Sequence, residues 1–77
     1  MFKDFSHHTA WTDTMKDALG YAGIIGYHST KLGVPAHTIL ILEPEFNSES
    51  AAKSHAEKML EKIKTITRAG ELVFFEE

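Results

Sequence analysis

Cysteine is absent from this chain, so neither a disulfide nor a thiolate–metal cross-link can hold it together. Basic residues are not in excess: eight Lys and Arg against eleven Asp and Glu leave a net charge of −3. Phosphate tracks need clustered cations. Here Lys53, Lys58, Lys62, Lys64 and Arg68 are interleaved with Glu49, Glu57 and Glu61, the pattern of a solvated helix face. The longest apolar run, Ala18 to Tyr27, is broken by three glycines and spans about half of a membrane helix. The N-terminal Met-Phe-Lys-Asp-Phe-Ser-His-His lacks the apolar core of a secretory signal. No membrane contact is expected, and the expected location is the cytoplasm.

What remains is an ordinary globular composition, 43% hydrophobic and 25% charged. A chain of 77 residues makes one domain, with residues 1–8 read as a flexible N-terminus. At this size a single core is marginal without a metal, disulfides or a partner chain.

Trp11, Met15, Ala18, Ala22, Ile25, Ser29 and Leu32 alternate spacings of four and three, which predicts a helix over 11–32. Thr9 or Thr12 would cap it, Asp13 and Asp17 would sit in its early turns, and Gly33 and Pro35 would end it. Gly20, Gly23 and Gly26 inside that helix cost about 1 kcal/mol each relative to Ala. The expected compensation is a neighbouring backbone packed against the bare face. His37 to Glu43 reads as a strand, with Thr38, Leu40 and Leu42 on one face and Ile39 and Ile41 on the other. Both faces are apolar, so both should be covered. A second helix is predicted from Ser48 to Arg68, with Ala52, Ala56, Met59, Ile63 and Ile66 as its stripe. Leu72 to Phe75 reads as a second strand, and Phe2 with Phe5 as a short edge strand.

The expected fold is therefore α+β: two amphipathic helices packed on a small sheet, in the order helix-strand-helix-strand. Two strands make a poor sheet alone. The sheet or the helical layer is expected to be completed by a second subunit, as a homo-oligomer.

Leu32-Gly33-Val34, preceded by Ser29 and followed by Thr38-Ile39, resembles the turn and second-helix start of the phage Cro and repressor family. Thr14-Met15-Lys16-Asp17 loosely echoes the same family upstream. The resemblance implies a helix-turn-helix protein with DNA as partner. The would-be recognition helix, however, carries Pro35, Ala36, His37 and Thr38 followed by Ile-Leu-Ile-Leu. It has no Arg, Lys, Gln or Asn to reach base edges or phosphates, and its β-branched residues suit a strand. Nucleic acid is not the expected partner.

Five histidines (His7, His8, His28, His37 and His55) show no i,i+4 helical pair of the zinc type. His28 and His37 could meet in space and donate to free helix carbonyls. Glu43 and Glu45 flank Pro44, while the other carboxylates are scattered. Neither set makes a catalytic pattern, and no enzymatic activity, metal or cofactor is expected.

The candidate ligand- or partner-binding residues are Trp11, Gly20, Tyr21, Gly23, Tyr27 and His28. Aromatic anchors carry most interface energy, and bare glycines admit close approach. The expected function is a non-enzymatic protein-interaction or regulatory module of the inhibitor or accessory-subunit type, such as bacteria and phages encode. The alternative is a homo-oligomer that binds or sequesters a small ligand, such as a nucleotide, on the Gly20–Tyr27 face.

Overall fold

A computed structural model describes residues 1–30 and 37–76. The elements run β1 (Phe2–Asp4), β2 (His8–Asp17), β3 (Gly20–Ser29), β4 (His37–Ile41), α1 (Glu49–Lys62), β5 (Ile63–Ile66) and β6 (Leu72–Phe74). The first four strands form one sheet in the order β1-β2-β3-β4, with every neighbouring pair antiparallel, and β5 pairs with β6 in a separate ribbon. One helix and mostly strands replace the expected two helices on a small sheet in the order helix-strand-helix-strand.

The largest correction is at 11–32, where the four–three spacing predicts a helix. The chain instead folds there into the β2–β3 hairpin, with Trp11 opposite Gly26, Asp13 opposite Ile24 and Asp17 opposite Gly20. The same residues also carry a period of two: Ala10, Thr12 and Thr14 face one side, and Trp11, Asp13 and Met15 the other. Thr9, Thr12, Thr14, Ile24, Ile25, Tyr21 and Tyr27 are strand-favouring types. The turn decides the matter. The Asp17 carboxylate accepts hydrogen bonds from the backbone N–H of Leu19 (2.7 Å) and Gly20 (3.1 Å), and Gly20 takes φ +139°. An Asx turn followed by a glycine at positive φ reverses the chain.

The predicted second helix is α1, but it stops at Lys62 rather than Arg68. Ile63, Thr65 and Ile66 are β-branched, prefer extended backbone, and pair with Leu72–Phe74 as β5. Ser48 caps the helix start, its Oγ accepting from the Ala51 N–H at 3.2 Å, with Glu49 in the first turn. At the other end the Lys3 ammonium donates to the Ile63 carbonyl at 2.7 Å and lies 3.5 Å from that of Leu60. A cation there satisfies orphan carbonyls and complements the helix dipole.

The core lies between the sheet and α1, where Ala10, Ile25 and Tyr27 meet Leu60, Ile63 and Ile66. Gly23 sets how closely the helix approaches. A Cβ there would stand 2.7 Å from the Ala52 carbonyl oxygen and 3.0 Å from the Ala56 Cβ. With Ala52 and Ala56 themselves fully buried, small residues on both elements bring helix and strand backbones together. The molecule is a slab with principal extents of 37 × 31 × 17 Å, one helix layer on one sheet layer.

The helix-turn-helix arrangement has no place in this architecture. Leu32-Gly33-Val34 lies outside the described residues. Thr38 and Ile39 belong to β4, paired with Tyr27 and Gly26, and Thr14 to Asp17 lie within β2.

Candidate functional site

Alternation assigns each strand residue to one of two sheet faces. Toward α1 point Lys3, Ala10, Thr12, Ile25, Tyr27 and Leu40. Away from it, the register places Phe2, Trp11, Gly26 and Ile39 in one row, and Asp13, Ile24 and Ile41 in the next. No described helix or strand packs across this second face, although Ala22 at its turn end is buried. Phe2 is 76% exposed, Ile41 60% and Ile39 51%, whereas Ile25, on the same strand as Ile24 but turned to the helix, is fully buried.

Trp11 is the centre of the open face. A Cβ on Gly26 would fall on the indole, its Nε1 only 2.7 Å away. The missing side chain at Gly26 is thus the bed on which the tryptophan lies flat across the adjacent strand. Beside it His28 and His37 are directly opposed across β3 and β4, their ring centroids 5.3 Å apart at an interplanar angle of 70°. Each centroid lies 5.7 Å from that of the indole. His28 Nδ1 is 3.0 Å from the Ser29 carbonyl, a partner on a strand rather than a helix end. These three rings and the apolar row below them make a flat surface that is aromatic at one end and aliphatic at the other.

The charge on this face is of one sign. Asp4, Asp13 and Asp17 share it by register, and among the described strand residues no Lys or Arg falls on it. Asp4 accepts from the Thr9 hydroxyl at 3.0 Å, next to the histidine pair. A second apolar edge runs along β6 and beyond it, where Val73, Phe74 and Phe75 are 39%, 45% and 56% exposed, and the Lys3 ammonium lies 5.7 Å from the Phe75 ring centroid.

The six sequence-predicted residues divide between the two faces. Trp11 and His28 stand together on the open face. Gly23 and Tyr27 are buried beneath α1 and the β5–β6 turn, Tyr27 donating from its hydroxyl to the Gly70 carbonyl at 2.8 Å. Gly20 and Tyr21 lie at the hairpin's turn end, where Tyr21 exchanges backbone hydrogen bonds of 2.8 and 2.7 Å with Phe46. A single Gly20–Tyr27 binding face depends on helical spacing. In a strand, Gly23 and Gly26 point to opposite sides, one admitting the helix and the other the indole. Sequence reasoning passed over Phe2, Gly26, Ile39 and Ile41 as surface residues. The available signal was β4 itself, apolar on both faces in a chain with too few helices to cover both.

Among the described residues no helix is long and apolar enough to cross a membrane. Compared with known proteins, the chain matches no family, no curated protein and no solved structure.

Proposed function

We propose that the protein is a non-enzymatic interaction module that pairs with a second copy of itself through the open face of its four-stranded sheet. The observation that carries this reading is the row in which exposed Phe2 and Ile39 flank a half-buried Trp11, with exposed Ile41 beside it, opposite the face that packs on α1. At a strand spacing of about 4.8 Å and a rise of about 3.3 Å per residue, the open face projects roughly 450 Å². That is somewhat over half of the ~800 Å² per partner of an ordinary stable interface.

Two rows of the face, those of Phe2 and of Asp4, are self-complementary, while in a third Asp13 comes to lie over the partner's Ile24. A two-fold axis parallel to the strands, between β2 and β3, exchanges β2 with β3 and β1 with β4 while keeping each row level. Phe2 of one protomer then lies over Ile39 of its partner, and Asp4 over His37. The two Trp11 indoles, each lying on its own Gly26, meet at the axis. Aligned sheets packed face to face, about 10 Å apart, are an established way to bury two such surfaces.

Sedimentation equilibrium of the purified chain over a wide concentration range tests the proposal, with the single tryptophan as a fluorescent reporter. A dimer is expected, with blue-shifted indole emission that reddens on dilution. Ile39→Asp should weaken association at least ~10-fold, equivalent to ~1.4 kcal/mol, without unfolding the chain. A monomer at all concentrations, or a dimer unaffected by Ile39→Asp, overturns it.

A further inference from the structure

A recess of about 390 Å³ opens at the far end of the sheet from the β2–β3 turn, lined by His7, His8, Ser29, Thr30 and Arg68. It is built by three separate stretches of chain. The β1–β2 turn brings His7 and His8, the end of β3 brings Ser29 and Thr30, and the β5–β6 turn brings Arg68. The Thr30 N–H donates to the His7 carbonyl at 3.0 Å, fixing the first two against each other, and the Phe5 N–H closes the β1–β2 turn on the His8 carbonyl at 2.8 Å. The third is moored by the Tyr27–Gly70 hydrogen bond. His8 and Ser29 face α1, while the Thr30–His7 bond continues the β2–β3 register and sets those two residues toward the open side.

His8 is the informative member. Its side chain points to the α1 side of the sheet, is only 6% exposed, and packs edge-on against the Tyr27 ring at 5.9 Å. Its Nδ1 is buried without a hydrogen-bond partner. That nitrogen has almost no accessible surface, so it does not open onto the recess as the ring stands; an unsatisfied ring nitrogen is unfavourable, and a ligand that drew the imidazole outward would relieve it. Burial, and then the neighbouring His7 and His28, hold the His8 imidazole below its ordinary pKa, so near neutral pH it offers one N–H donor rather than a cation.

The charge of the recess comes from Arg68, whose guanidinium presents several donors in a planar fork. Among the described residues the lining contains no carboxylate, and none pairs with Arg68. Among the described residues no cluster of three metal-ligating side chains occurs, and a guanidinium repels cations. A guanidinium, two imidazoles and a hydroxyl-bearing segment lining one recess match an oxyanion. The volume lies within the range of small-molecule sites and exceeds what a bare inorganic ion fills.

We propose that this recess binds a small organic anion through a terminal oxyanion group, phosphate or carboxylate, held by the Arg68 guanidinium with the His8 imidazole and the Thr30 hydroxyl in the wall. The experiment is an NMR titration of the full chain at constant ionic strength, following the imidazole nitrogens of His8 and the amides of Ser29 and Thr30. The probes are inorganic phosphate, glycerol 3-phosphate and succinate, with sodium chloride as the control. Saturable shifts at His8 and Thr30 are expected with at least one probe. Saturation by glycerol 3-phosphate alone assigns the site to phosphate esters, and by succinate alone to carboxylates. Arg68 is exposed on a turn, so Arg68→Gln should fold with an unchanged melting curve and weaken binding at least tenfold. Shifts that are linear in concentration, that chloride reproduces, or that survive Arg68→Gln unchanged would overturn the proposal.

Discussion

The two faces of the four-stranded sheet are made from the same strands and comparable residues, yet one is a core and the other a surface. On the α1 side, Ile25 has no exposed area and Gly23 admits a helix backbone; on the opposite side, Ile41 is 60% exposed and Gly26 admits only the indole of Trp11. Apolar character alone does not make a core. A face becomes one when the chain supplies something to cover it, and the described residues supply a single long helix.

The widest contrast is expected between buried and open aliphatic side chains. Leu60→Ala, at a fully buried position, should cost about 3 kcal/mol of unfolding free energy through lost burial and a residual cavity. Ile41→Ala, measured in the Ile39→Asp background to keep the chain monomeric, should change stability by less than about 0.5 kcal/mol. Equal losses in urea melts would mean that the open face is covered within one chain.

The glycines separate the faces at the next level. Gly23→Ala drives a methyl into the Ala52 carbonyl, a backbone atom that moves only with the helix, and should destabilise by about 2 kcal/mol. Gly26→Ala meets only a side chain that can swing outward. It should cost about 1 kcal/mol or less, and its clearer readout should be a red-shifted, more quenched tryptophan emission with weaker self-association.

Smaller effects probe the covered side alone. Ser48→Ala removes the cap on the Ala51 N–H and should lower stability by about 1 kcal/mol, with dimer affinity unchanged in the same sample. The mildest is a pH dependence. Because the folded His8 pKa lies below its ordinary 6.5, the unfolded chain binds more protons between the two values. The His8 contribution should therefore be complete above pH 6.5, decline as pH falls toward the folded pKa, and flatten below it. Comparing melts across that window with His8→Gln should show the slope reduced in the variant.

Much of the fold's second half is legible in the residues. Ser48 and Glu49 announce a helix start, the Ile-Leu-Ile-Leu run announces a strand, and the acidic residues flanking Leu72–Phe75 bracket another. The first half misleads because Trp11, Met15, Ala18, Ala22 and Ile25 satisfy a helical period and, in part, a strand period too. The local evidence against a helix is modest: an Asp two residues before Leu19 and a glycine after it, the makings of a tight turn. For the site, an aromatic anchor at Trp11 and a meeting of His28 with His37 could be anticipated. Gly26 could not be paired with Trp11 without the register, and the recess at His8 and Arg68 joins residues 60 positions apart.

The sequence by itself determined a cysteine-free chain with one capped helix, at least two apolar strands, and more apolar surface than its helices can cover, because these follow from residue type and short-range spacing. Tertiary structure decided that residues 11–29 form a hairpin, that Gly23 and Gly26 serve opposite faces, and that His8 lies buried beside the turn carrying Arg68. Strand pairing is a long-range choice in which a shift of one residue exchanges every side chain between core and surface. The hairpin turn and the docking of α1 on the bare Gly23 position set that register, and with it which side of the sheet was left open.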